Sequence, residues 1–249
     1  MGATLLHLPG ALARHRELAE ELGTDERGLR LLDGMLAAEL ATREQHRYDR
    51  NLRAARFPVV KELSCFDCTA LPTVQRARVE ELATGRFIGA HETVLLVGNP
   101  GTGKTHVLLG LGPQAVRSGY RVRFVTAATL VNELLLARQE LRVPKVLKAY
   151  ASFDLVAVAE LGYVPFSREA AQLLFEFFAD RYERRATTNL PIAQWPQIFG
   201  DETMTVALLD RLTHRSHVLM FNGESYRMRE SRRRAGRTES PPEAVADGA

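Results

Sequence analysis

Three observations predict an α/β protein built on a parallel sheet with helices on both faces. Short apolar β-rich runs alternate with helical patterns along the chain. Those runs are continuous rather than alternating, as strands buried on both sides are. A glycine-rich loop joins the first run to the helix behind it.

Residues 1–57 are polar, Arg-rich and helical in pattern, with Leu29, Leu32, Leu36 and Leu40 at helical spacing. Arg43, Arg47 and Arg50 follow as one stripe, with Arg53 and Arg56 nearby. Phe57-Pro58 ends this region, because proline disfavours helix at the residue before it. Residues 58–72 read as a linker with a second breaker at Pro72. From 73 the texture changes. A helix is expected over 73–89, a strand over 93–97, a loop over 98–103 and a helix over 104–118. Residues 120–125 read as a strand, and Leu130, Leu134 and Ala137 mark one face of the next helix. Residues 155–158 are another apolar strand. The helix after it, 168–185, carries Ala171, Leu174, Phe175, Phe178 and Tyr182 on one face. A helix over 202–214 and a last strand over 217–221 complete the expected domain, 73–230. The tail, 231–249, is basic, then Pro/Glu/Ala-rich, and reads as disordered.

Composition sets outer limits. A chain of 249 residues accommodates one domain with an appendage, or two small ones. Its 45% hydrophobic content and net charge of +3 exclude disorder as a global description. There is no apolar run of about 18 residues and no charged segment leading into an apolar one, so a cytoplasmic protein without span or secretory leader is expected. Cys65 and Cys68 are too few for a disulfide scaffold and lack the second ligand pair that zinc needs. They read as two incidental thiols. His214 and His217 straddle a helix end and make a poor metal pair, while Trp195 and Phe199 read as packing residues.

The chemistry sits in the loop. Gly98-Asn99-Pro100-Gly101-Thr102-Gly103-Lys104-Thr105 matches G-x-x-x-x-G-K-[ST] in full, between a strand and a helix. The glycines let backbone amides converge on phosphate oxygens without Cβ clashes, and the helix start adds partial positive charge. Lys104 supplies a cation for the β- and γ-phosphates, and Thr105 a hydroxyl ligand for Mg2+. ATP with Mg2+ is the expected cofactor, held by residues 98–105 and by His106 beside them. The carboxylate side of such a site lies at the end of another parallel strand. Glu160, after Leu155-Val156-Ala157-Val158-Ala159, stands where the catalytic carboxylate belongs. Ala159 precedes it, and a methyl cannot accept a hydrogen bond from a metal-bound water. Asp154 is no substitute, because it lies about 16 Å away at the other end of the strand.

GNPGTGKTH, AELGYVPF, TTNLP, FGDE with LLDRLTHRSHV, and GESYR, in that order, resemble the IstB family of insertion-sequence transposition helper ATPases. These are AAA+ proteins related to the DnaC helicase loaders. The resemblance runs from about residue 29 to 230. It implies a RecA-like AAA+ module behind a small helical N-terminal region, ATP binding, assembly as an oligomer on DNA, and engagement of a transposase. It also implies roles: Lys104 and Thr105 as the Walker A pair, Glu160 as the catalytic glutamate, and Asn189 as the sensor of the hydrolytic water. Arg211 matches the finger that reaches a neighbouring subunit's nucleotide, and Arg227 resembles the second sensor. Two departures stand out. The family has Asp-Glu where this chain has Ala159-Glu160, and about three residues are missing before Asn189, so a disturbed central sheet and impaired hydrolysis are expected.

Six arginines between 227 and 237 and the Arg43/Arg47/Arg50 stripe are candidate contacts to the DNA backbone without sequence readout. A helicase loader on the same fold, and a nucleotide-gated scaffold without catalysis, remain open readings alongside the transposition helper.

Overall fold

The computed structural model describes residues 26–63, 76–161, 166–182, 187–189 and 215–221, with residues 21, 23, 206, 213, 225, 226 and 228. The chain divides into two compact units, Met1–Arg53 and Ala54–Ala249. The expected helix over 202–214, the disordered tail, both cysteines, Trp195, Phe199 and His214 fall wholly or largely outside the described residues.

The N-terminal helical pattern forms α1, Glu26–Ala55. Arg43, Arg47 and Arg50 are exposed on it, and Arg43 pairs with Glu39 one turn back at 2.6 Å. The helix expected over 73–89 is instead two, α2 (Arg76–Ala83) and α3 (Arg86–Gly89). Gly85 divides them in the left-handed conformation, φ 74°, where a helix cannot run on.

Strand β1 (Thr93–Gly98) leads through the loop to α4 (Lys104–Arg117). Then follow β2 (Val122–Thr126), α5 (Ala127–Gln139) and α6 (Val143–Ala151). Thr126 caps α5 by accepting the Thr129 amide through its side chain. The pattern gives no separate notice of α6, a nine-residue helix with Pro144 in its first turn. After it come β3 (Leu155–Ala159), α7 (Arg168–Tyr182), β4 (Thr187–Asn189) and β5 (Ser216–Phe221).

The strands form one parallel sheet in the order β2-β3-β4-β1-β5. Every residue of β3 is buried, as are Thr93 through Val97 of β1, so both faces of the sheet are covered. The strand that ends on Asn189 is only three residues, yet the sheet is not broken there. Thr187 and Thr188 pair with Val94 and Leu95 on one side and with Ala157 and Val158 on the other. Three residues suffice because ladders on both sides satisfy their backbone groups.

One face is filled from α5, α6 and α7. Leu130, Leu134, Leu174, Phe177 and Phe178 pack on Val156 and Val158. Tyr150 meets the edge of Phe177, with ring centroids 5.2 Å apart, and donates its hydroxyl to Glu133 Oε2 at 2.7 Å. Burial and that carboxylate raise the phenol pKa. Tyr150→Phe removes the hydroxyl from Glu133 and from its contact with Arg123, and should cost about 1 kcal/mol. Thermal melting should show a loss of roughly 2–4 °C, and an unchanged midpoint would mean the hydroxyl contributes nothing.

On α4, Gly110 and Gly112 make room for the segment after α1. A methyl at Gly112 would come within 2.4 Å of the Phe57 ring, and one at Gly110 within 2.5 Å of Leu63 Cδ2. Phe57 also tilts against Phe124 of β2, at 6.1 Å.

Candidate nucleotide site

In a parallel sheet, ligands gather outside the carboxyl ends of the strands. Register places Gly98, Ala159, Asn189 and Phe221 at that one end. Gly98 closes β1 at φ 142° beside Phe221, and a methyl there would lie 2.1 Å from the Phe221 carbonyl oxygen. No other residue fits. Gly101 and Gly103 turn the loop with φ 79° and 99°, and Gly103 is the N-cap of α4. The loop amides and the first turn of α4 thus form one concave set of donors.

Inside the loop, the Thr102 hydroxyl donates to the Asn99 carbonyl at 2.7 Å. Lys104 Nζ donates to the carbonyls of Gly98 and Asn99, at 2.8 and 2.6 Å. Lys104 is 8% exposed and Thr102 2%, while Asn99 and Pro100 are exposed and Thr105 is half-buried in the first helical turn. Burial lowers the Lys104 pKa from its ordinary 10.5. Phosphate attraction needs the ammonium form. ATP affinity should therefore fall as pH rises toward 10.5, beginning at a lower pH than an exposed lysine would allow. A pH series of ATP titrations checks this, and an affinity flat up to that pH would place the lysine away from the phosphates. His106 Nε2 donates to the Glu62 carbonyl at 3.3 Å, and burial lowers its pKa, which favours the neutral ring.

Across β4 from β1, β3 ends on Ala159, 1% exposed, whose partner on β2 is Thr126. Glu160 follows, exposed and at φ 62°, a left-handed conformation that is costly for a residue with a Cβ. That turn carries Glu160 out of the strand at the nucleotide end of the sheet. Asp154 sits at the far end, where its carboxylate accepts the Arg121 amide at 2.9 Å. Its role is structural. Asn189 ends β4 opposite Leu96. Its side chain, Arg211 and Arg227 lie outside what the structure describes.

Contacts that motif reasoning misses come from GESYR. The Tyr226 amide donates to the Gly101 carbonyl at 3.0 Å, and Ser225 lies directly on Gly101. The motif is visible in sequence, but the reading of it falls on Arg227.

A phosphate loop after β1, the 2-3-4-1-5 strand order and a carboxylate at the end of β3 define a P-loop nucleotide-binding protein of the AAA+ type. Solved structures with this fold include the replication initiator DnaA bound to AMPPCP and single-stranded DNA. It has a TM-score of 0.51 and 16% identity over 74% of this chain and 56% of that one. Another is DnaI, with a TM-score of 0.51 and 15% identity over 66% and 89%. The chain belongs to the IstB-like ATP binding protein family, which matches residues 3–234. A relative named for ATP binding in insertion sequence IS5376 of Geobacillus stearothermophilus is 36% identical over 91% of this chain and 92% of its own. One so named in insertion sequence IS21 of Pseudomonas aeruginosa is 40% identical over 80% and 76%.

Proposed function

We propose that this chain binds ATP in the loop 98–105 and, in that state, acts as a helper in insertion-sequence transposition. It binds DNA along the backbone without reading bases and engages the transposase of the same element, with ATP hydrolysis impaired. The observation that carries this reading is a complete phosphate loop at the sheet end where β3 closes on Ala159, one residue short of the carboxylate of Glu160.

Residues 1–57 are read as the DNA- or partner-binding region, 58–72 as its linker and 73–230 as the ATP module. The exposed arginines of α1 favour a polyanion, since each phosphate neutralised releases counterions. Glu160 and Asn189 are assigned to the attacking water. Arg211 is assigned to a neighbouring subunit's nucleotide, which makes an oligomer the working form, and Arg227 to the phosphates of its own.

The fit to Mg2+ is one-sided. Thr105 supplies a hydroxyl, but Ala159 supplies no oxygen, and no group of three His, Cys, Asp or Glu gathers among the described residues. Among those residues no helix is long and apolar enough to cross a membrane, and the cytoplasm is the compartment where its DNA and nucleotide are found.

Ala159 favours a second reading, in which ATP stabilises assembly and is never cleaved. Turnover with DNA and Mg2+, measured beside ATP-dependent oligomer size, tests both. The helper reading expects slow, DNA-stimulated phosphate release. The scaffold reading expects oligomers and none. Fast turnover contradicts the impairment. Co-purification with a replicative helicase rather than a transposase would favour a loader.

A further inference from the structure

We propose that Ser225 and Tyr226 are positioning residues of the nucleotide site, holding the phosphate loop in its anion-gripping shape through Gly101. This rests on the reading of 98–105 as the cradle for ATP's phosphates.

Residues on both sides of 222–224 meet the loop. The Asn99 amide donates to the Phe221 carbonyl at 3.3 Å, and four residues beyond Phe221 the chain is back over Gly101. A methyl on Gly101 would fall 2.2 Å from Ser225 Oγ and 3.1 Å from its Cβ. Ser225 Oγ accepts the Met228 amide at 3.4 Å, so it caps a helical turn in which Tyr226 is the first residue. Amides at the start of a helical turn have no partner within it. The one on Tyr226 finds the Gly101 carbonyl at 3.0 Å.

That bond has a consequence inside the loop. In a trans peptide the carbonyl and the following N–H point in opposite directions. Anchoring the Gly101 carbonyl on Tyr226 therefore fixes the Thr102 amide on the opposite side of the same plane. Thr102 is itself held by its hydroxyl on the Asn99 carbonyl. Gly101 stays at φ 79° because it is gripped from both directions. Loop amides fixed before an anion arrives need no reorganisation when it does, which raises affinity without any new contact to the ligand.

Tyr226→Pro isolates the bond. Proline suits the first position of a helical turn and favours an extended residue before it, as a cap is, so beside Tyr226→Ala, which also lacks the phenol, it differs chiefly by the missing N–H. Two ligands are titrated into the full chain: ATP, and inorganic tripolyphosphate, which has no base or ribose. The dissociation constants of both should rise roughly tenfold, with the ligand-free melting midpoint unchanged. Tyr226→Ala keeps the amide and should bind both within about twofold of the unaltered chain. Should Tyr226→Pro fail to fold, Gly101→Ala should weaken both ligands, and Ser225→Gly added to it should restore part of the loss by relieving the collision. Tyr226→Pro binding like the unaltered chain, Tyr226→Ala losing as much as Tyr226→Pro, or no recovery in the double variant would overturn the proposal. If the unaltered, folded chain binds neither ligand, the nucleotide reading falls and the proposal with it.

Discussion

Lys104→Ala should weaken ATP binding by on the order of 100-fold, about 2.7 kcal/mol. The ammonium is the only formal positive charge within 98–105. It is 8% exposed, so its attraction for phosphate oxygens is poorly screened. The substitution also touches the ligand-free protein. Lys104 is a donor to the carbonyls of Gly98 and Asn99, and alanine withdraws it from both. A modest drop in melting midpoint should accompany the binding loss, and added ATP should recover little of it. Calorimetric titration and melting of the same two proteins check both parts. Equal affinities would remove Lys104 from the site.

Ala159→Asp should raise Mg2+-dependent ATP turnover by roughly 100-fold, about 2.7 kcal/mol of barrier. It should also make the ligand-free protein less stable. The methyl of Ala159 is 1% exposed, at the end of a strand whose every residue is buried. A carboxylate there loses hydration, so its pKa should lie above the ordinary carboxylate value. Mg2+ with ATP should then raise the melting midpoint of Ala159→Asp by more than it raises that of the natural chain. The pair of readouts separates explanations. A gain in both locates the defect in hydrolysis at position 159. A stability loss without turnover shifts attention to the three residues of β4, the strand on which Asn189 stands.

The sheet was legible because its strands are buried on both faces. Continuous runs such as Leu155–Ala159 carry that burial directly into the sequence. The loop was legible for a different reason: convergent amides with a glycine at each left-handed turn leave few sequences possible. Features made by single local conformations were not legible. Gly85 splits one expected helix into α2 and α3, and glycines inside helical patterns are common enough that this one carries no warning. Nor does any spacing rule announce that Glu160 turns out of β3 at positive φ. The three-residue β4 was visible as a shortage of chain, but its survival depends on partners on both sides, which only the sheet order reveals. The grip of Tyr226 on Gly101 is a backbone bond between residues 125 apart, and backbone bonds leave no side-chain signature.

The most direct test is an equilibrium titration of the purified, folded chain with ATP, followed by competition with inorganic tripolyphosphate. Saturable binding of one ATP per chain, displaced by tripolyphosphate and lost in Lys104→Ala, is the predicted result. A folded chain that takes up no ATP, or one whose ATP tripolyphosphate cannot displace, would contradict the claim that the loop between β1 and α4 holds the phosphates.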